Sequence, residues 1–162
     1  PRSADVPDAK ARPFPFMAFN FSVEIHRDGS GKPLAEASFA ECDGLEMTMD
    51  VKTIREGGAP DRAIRVSGPV GFSNLTLKRG MTDNFDLWTW FKDSIGDPRL
   101  RADAEVVILG ADGSSERARF QLSRCLPVKL KAPALAASGN AIAIEEFQMA
   151  YETLKFVPGK AA

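Results

Sequence analysis

The chain has 162 residues, and its 21 basic and 22 acidic side chains leave a net charge of −1 at pH 7. This length suits one domain that buries a core without disulfide or metal support. The neutral balance disfavours nucleic acid or anionic lipid as the primary ligand. Since no apolar run approaches the roughly 20 residues that span a bilayer, and no secretory leader is recognisable, we expect a soluble protein of the cytoplasm that does not bind membranes by itself.

The first third of the chain predicts an arm followed by strands. Residues 1–15 hold four prolines and no hydrophobic period, which predicts an extended, flexible N-terminal arm. The domain then runs over residues 16–157, with a short tail at 158–162. FNFSVEIH alternates apolar and polar side chains, as a half-buried strand does. AEASFAEC predicts a weaker second strand. The third strand, within DGLEMTMDVKTIRE, puts Met49 in the core and the polar side chains on the opposite face.

A glycine-rich segment and a helix follow. The stretch from Gly57 to Gly71, with two prolines, predicts an inter-strand loop longer than most connections, which is typical of a contact loop. LTLKRGMTDNFDLWTWFKD then predicts a strand, a helix N-cap at Thr82-Asp83 and one short helix. Its apolar stripe predicts that the helix packs onto the barrel through three aromatic side chains, Phe85, Trp88 and Phe91, with Ile95 extending the stripe.

The C-terminal half predicts further antiparallel strands. A hairpin turns at Asp112-Gly113. PVKLKAPAL predicts a short strand and AIAIEEFQMAYETL a final long one. The whole chain is therefore predicted to be mainly β, an antiparallel barrel or sandwich of about seven to eight strands with one packed α-helix.

Residues that carry catalysis are scarce. The single His26 and the lack of a nucleophile motif or phosphate loop argue against an enzyme, a cofactor or a metal site. Glu145 and Glu146 are neighbours in a predicted strand, so they face opposite ways and cannot share a substrate. A monomeric β-barrel that binds a small molecule between Trp88, Trp90 and Tyr151 remains as an alternative function.

The order of motifs resembles a known family. FNFSVEI, ECDGLEM, REGG, LTLKRGMTDNFDLWTWF and SGNAIAIEEFQMAYETL together resemble the tail-tube proteins of contractile phage tails and of phage-derived extracellular contractile injection systems. The resemblance covers Phe16 to about Leu154. It implies a structural protein whose hexameric rings stack into the hollow inner tube of the particle, through which cargo passes when the sheath contracts.

The resemblance also implies partners and surfaces. The partners are further copies of the chain, a surrounding sheath protein, baseplate, spike and terminator proteins, and protein or DNA cargo in the lumen. Within this frame we expect the loop to join stacked rings through Glu56, Gly57, Gly58, Asp61, Arg62 and Arg65. The outward faces of the third strand and of the return strand after Asp112 are the candidates for lining the lumen, and they carry Glu46, Thr48, Asp50, Lys52, Arg117, Arg119, Gln121 and Ser123.

Overall fold

A computed structural model describes residues 15–16, 20–27, 33–34, 39–55, 57–58 and 62–159. The predicted arm lies outside these residues except for its last one, and so does most of the predicted C-terminal tail. The described elements, in chain order, are β1 (Phe21–Arg27), β2 (Glu41–Asp43), β3 (Met47–Arg55), β4 (Ala63–Phe72), β5 (Leu75–Gly80), α1 (Asp86–Gly96), β6 (Ala102–Leu109), β7 (Glu116–Lys131), β8 (Ile144–Ala150) and β9 (Thr153–Pro158). The prediction of a mainly β, antiparallel fold with one helix is confirmed. In the part of the chain that the structure describes, α1 falls short of the length and apolarity that crossing a membrane requires.

One curved sheet makes up most of the domain. Its strands follow the order β1-β6-β7-β8-β5-β2, with β9 beside β7. The long strand β7 joins two halves of this sheet, because residues 118–123 pair with β9 whereas residues 126–131 pair with β8. The change of partner follows Arg124, whose φ of 53° interrupts the extended backbone. Val23 and Val106 from one half share a single apolar core with Phe147 from the other.

The helix covers this core with a different face from the one predicted. Leu87 and Trp90 are fully buried, and the Trp90 ring lies 5.5 Å from that of Phe147. Phe85 is 52% exposed and Ile95 is 73% exposed, so the prediction that they pack inward is wrong. Trp88, by contrast, is half-buried, as is Phe91.

The start of the helix explains why Phe85 does not pack inward. Helical backbone begins at Asp86, three residues after the predicted N-cap pair. The side chain of Asn84 accepts the backbone N–H of Asp86 at 3.0 Å, in place of a cap by Thr82 or Asp83. Phe85 therefore lies in the irregular chain before the helix and faces outward.

The predicted loop from Gly57 to Gly71 is mostly a strand. β4 pairs antiparallel with β3 along nearly its whole length, so the two strands form a long hairpin. Gly68 and Pro69 lie in a bulge opposite Asp50, where a proline needs no ladder hydrogen bond. A Cβ on Gly68 would stand 2.8 Å from the carbonyl oxygen of Asp50, so the bulge requires glycine. The loop prediction is wrong because it gave the glycines and prolines more weight than the β-branched residues of β4.

The boundaries of the C-terminal strands also differ from the prediction. The predicted short strand PVKLK is the second half of β7, and the predicted final strand is two strands, β8 and β9. The chain turns between them at Tyr151, which is 7% exposed and whose hydroxyl donates to the carbonyl oxygen of Gly44 at 2.9 Å. Gly44 has φ +105°, and a Cβ there would overlap the carbonyl oxygen of Asn74. These two residues tie β8 and β9 to the base of the β3–β4 hairpin.

Candidate assembly surface

The β3–β4 hairpin exposes apolar side chains on both of its faces. Every residue of β3 is exposed, and the hairpin makes up a two-stranded sheet of its own. The prediction that Met49 is a core residue is therefore wrong for the single chain, since it is 56% exposed. Seven large apolar side chains of the hairpin are 40–59% exposed, namely Met47, Met49, Val51, Ile54, Ile64, Val66 and Val70. Monomeric proteins rarely leave so many apolar side chains together in water.

The strand register divides this apolar surface in two. Near the base Met47 lies opposite Phe72 and Met49 opposite Val70, so these side chains share one face. Near the tip, Ile54 lies opposite Ile64, and Lys52 lies opposite Val66. Because side chains alternate along a strand, the apolar residues of the tip occupy the face opposite to that of the base. We call this second set, Ile54, Ile64 and Val66, the tip face.

An open groove separates the two edge strands of the main sheet. β1 and β2 are the first and last strands in the order of the main sheet. Residues from both strands line a groove of about 470 Å³. We call it the β1/β2 groove. Its wall is mainly apolar and includes Phe16, Phe21, Cys42, Leu45, Val106 and Ile108. Burial, and to a smaller extent the charge of Asp43, raises the pKa of the Cys42 thiol to about 12, so the thiol is neutral at physiological pH.

Carboxylates mark one rim of this groove. Glu41 belongs to its lining, and Asp43 follows two residues later on the same strand. Both residues are exposed. Lys78 of β5 approaches Glu41 at 3.6 Å, which offsets part of the negative charge.

The first half of β7 is the strand predicted to follow the Asp112-Gly113 turn, and its polar side chains face outward as the alternation predicts. Ala118 and Leu122 are buried, whereas Arg117 is exposed, and Arg119, Gln121 and Ser123 are half-exposed. The guanidinium of Arg119 forms ion pairs with Glu105 on β6 and with Glu116 on its own strand. This outward face therefore mixes charges of both signs, which are largely paired with one another.

The predicted lumen residues do not form one set on the isolated chain. Glu46, Thr48, Asp50 and Lys52 are all exposed. The last three belong to the hairpin sheet, and Glu46 lies just before it, whereas the β7 residues belong to the main sheet. The structure thus separates the candidates into two groups on different sheets.

A buried ion pair is the main feature that the sequence reasoning missed. Arg79 of β5 lies directly opposite Glu145 of β8, and both are at most 2% exposed. The Nε of Arg79 donates to Glu145, and its Nη2 donates to the carbonyl oxygen of Asn84 at 3.0 Å. The indole N–H of Trp88 donates to the other oxygen of Glu145 at 3.0 Å. This network fixes the start of α1 on the sheet, because it contacts the chain on both sides of Asp86.

The residues of the alternative small-molecule pocket do not come together. Trp90 packs against Phe147, while Tyr151 packs against Phe72 with the two ring centroids 5.5 Å apart. Trp88 makes its polar contact with Glu145. The grooves found in the described part of the chain have other linings, and no group of three metal-ligating side chains occurs among the described residues.

Comparison with known families decides which class of assembly these surfaces belong to. Residues 17–155 match the family described as T4-like virus tail tube protein gp19. The chain belongs to this tail tube protein family. It is therefore a structural component of a phage tail or a tail-like injection particle, and the prediction that it is not an enzyme is confirmed.

Solved structures share the fold of this tail tube protein. A chain from the baseplate of the anti-feeding prophage superposes with a TM-score of 0.80 at 23% identity, covering 90% of this chain and 97% of that one. A chain from the sheath–tube complex of the PVC extracellular contractile injection system gives 0.76 at 20% identity, with 90% and 93% covered. A chain from the tube-terminating cap of the anti-feeding prophage gives 0.78 at 18% identity, with 96% and 99% covered. Comparison with curated protein sequences gives no significant match.

Four of the six predicted contact residues of the tail tube protein are described, and they lie at or near the tip of the hairpin. Gly57 and Gly58 form its turn, and Gly58 has φ +103° with open space around it. Arg62 directly precedes β4, and Arg65 lies within β4. Glu56 and Asp61 lie outside the described residues. The segment expected to reach a neighbour therefore lies largely in β4, which is paired with β3.

Proposed function

We propose that this tail tube protein forms hexameric rings that stack into the hollow inner tube of a contractile particle, and that cargo moves through this tube when the sheath contracts. The chains of similar fold come from structures described as a baseplate, a sheath–tube complex and a tube-terminating cap. We extend these partners to the present chain: a sheath outside the tube, a baseplate with its spike at one end and a terminator at the other.

The observation that carries the proposal is the hairpin with two exposed apolar faces. A side chain such as Ile54, 52% exposed in the single chain, gains stability only when another surface covers it. A hairpin of two strands is also marginally stable by itself, so its apolar residues need a partner in the assembly. Contacts between neighbouring copies, within a ring or between rings, would supply that cover.

A second part of the proposal concerns the channel wall. We propose that the outward face of β7 lines the lumen, because its charges are already paired within the chain. Arg119, held between Glu105 and Glu116, would present little net charge to passing cargo. Thr48 and Asp50, with Glu46 beside them, would join this wall near the base of the hairpin, whereas Lys52, opposite Val66, lies on the tip face.

A shortened hairpin tests the assembly proposal. Thr48 lies opposite Gly71 at the base, so an Asn-Gly turn that joins these two residues would replace Met49–Val70 and preserve the register. We expect a folded domain with unchanged near-ultraviolet circular dichroism that elutes as a monomer, whereas the full chain forms rings or tubes in negative stain. Tubes of the shortened protein would remove the hairpin from assembly.

Labelling tests the channel wall. In a Cys42→Ala background, Gln121→Cys in assembled tubes should react with a small maleimide and be protected from one coupled to a polymer wider than the bore. Cys125 is fully buried and can remain. Arg62→Cys, beside the hairpin tip, is the comparison site, to be labelled in the same tubes. Equal labelling of Gln121→Cys by both reagents would place the β7 face on the outside of the tube.

A further inference from the structure

We infer that the tip face of the hairpin of one copy docks into the β1/β2 groove of a neighbouring copy. This inference rests on the proposed self-assembly and names the surface that receives the hairpin. Ile54, Ile64 and Val66 form an exposed apolar projection, and the groove is an apolar concavity between strand edges. Burying one against the other removes both from water.

The charges around the two surfaces are complementary. Residues 52–66 carry four basic side chains and two acidic ones. One of the basic side chains, Lys52, lies opposite Val66 and so shares the tip face, whereas Arg65 lies opposite Thr53 on the other face. The groove carries Glu41 in its lining and Asp43 nearby. An apolar projection with a basic side chain on its face therefore meets an apolar groove with an acidic rim, which favours this orientation over two hairpins meeting each other.

A chain cannot fill its own groove with its own tip. Leu45 of the groove lies two residues before the start of β3, at the base of the hairpin. The seven residue steps from Met47 to Ile54 span about 23 Å of extended strand, which carries the tip away from that base. The contact is therefore between copies and joins two different surfaces. Such a heterologous contact repeats in one direction and generates either a closed ring or an open stack.

Disulfide cross-linking tests the docking in the full chain. Ala40 is exposed and belongs to the groove lining, so Ala40→Cys introduces a thiol with little change in volume. Combined with Ile64→Cys in a Cys42→Ala background, it should give covalent dimers and higher oligomers on oxidation. The matched control combines Ala40→Cys with Thr53→Cys, because Thr53 lies one residue from the tip face and points the opposite way.

On a non-reducing gel, the variant with Ile64→Cys should give a ladder of covalent oligomers after oxidation. The variant with Thr53→Cys should give no ladder. Both variants must first show rings by negative stain and a melting temperature close to that of the parent. Rings without any Ile64→Cys ladder, or equal ladders from both variants, would overturn the docking and leave the proposed function intact. A parent protein that stays monomeric at every concentration would overturn the proposed function itself.

Discussion

Glu145→Gln tests how the buried ion pair holds the helix. Glu145 is 1% exposed and accepts hydrogen bonds from Arg79 and Trp88. The substitution leaves the Arg79 guanidinium buried without a counter-charge. Removing one partner of a buried pair costs about 3–5 kcal/mol. At about 2–4 °C per kcal/mol for a chain of this size, the melting temperature should fall by roughly 6–20 °C.

A double replacement shows whether the stability is lost because the ion pair is missing or because one charge is left buried without its partner. Arg79→Met with Glu145→Leu fills the same space with apolar atoms and leaves no charge behind. Such replacements of a buried pair are often neutral or stabilising, so this variant should recover most of the loss even though the indole N–H of Trp88 loses its acceptor. The measurement is urea unfolding followed by tryptophan fluorescence, with Trp88 and Trp90 both on the helix.

Two results would refute this reasoning. The first is a Glu145→Gln protein whose free energy of unfolding lies within about 1 kcal/mol of the parent, the range of ordinary surface substitutions and their errors. The second is a double variant no more stable than the single one. The first result would mean that the helix is held by Leu87 and Trp90 without help from the pair, and the second that the loss comes from the missing hydrogen bonds and not from a charge left buried.

Three further predictions concern the hairpin, a glycine and a carboxylate. Ile54→Asn with Ile64→Asn should change the free energy of unfolding by less than about 1 kcal/mol, since both side chains are exposed in the single chain, yet abolish rings in negative stain; retained rings would contradict it. Gly44→Ala should lower the melting temperature far more than Gly58→Ala, since both have positive φ but only the Cβ at Gly44 overlaps backbone; equal effects would contradict it. Backbone and side-chain hydrogen bonds from Ser115 lower the pKa of Asp112 to about 2. This carboxylate therefore stabilises its turn above pH 4 and loses that effect as the pH falls through about 2; a carboxyl NMR titration with a midpoint near 4 would contradict it.

The alternation of side chains predicted much of the sheet. It identified β1, β3 and β5 and the turn at Asp112-Gly113, because these segments alternate clearly and end at glycine or polar residues. It also put Glu145 and Glu146 on opposite faces of their strand, which the structure confirms. The family resemblance, carried by combined motifs over most of the chain, is confirmed by the match over residues 17–155.

Other features depended on contacts that alternation does not reveal. Alternation along β5 buries Arg79 on the same face as Leu75 and Leu77. Its partner Glu145 is distant in sequence, and the register between β5 and β8 that brings the two together could not be predicted. Phe85 was placed on the inward face of the helix because the helix was expected to start at Thr82-Asp83, whereas it begins at Asp86 and leaves Phe85 outside.

The hairpin was missed for a related reason. Gly68 and Pro69 interrupt the strand pattern of β4, and only the pairing with β3 absorbs them in a bulge. The apolar residues of β4 also alternate without a core behind them, so the single chain offers no burial that would identify the strand. Under the proposed assembly, the apolar residues of β4 become buried only when a neighbouring copy contacts them.

Electron cryomicroscopy of the purified full chain, over a range of protein concentrations, tests ring assembly most directly. We expect six-fold rings that stack into tubes, with the β3–β4 hairpin of each copy covered by a neighbour and the β7 face around an open channel. Folded monomers at every concentration, with both faces of the hairpin still in water and readily cleaved by protease, would contradict assembly through this surface.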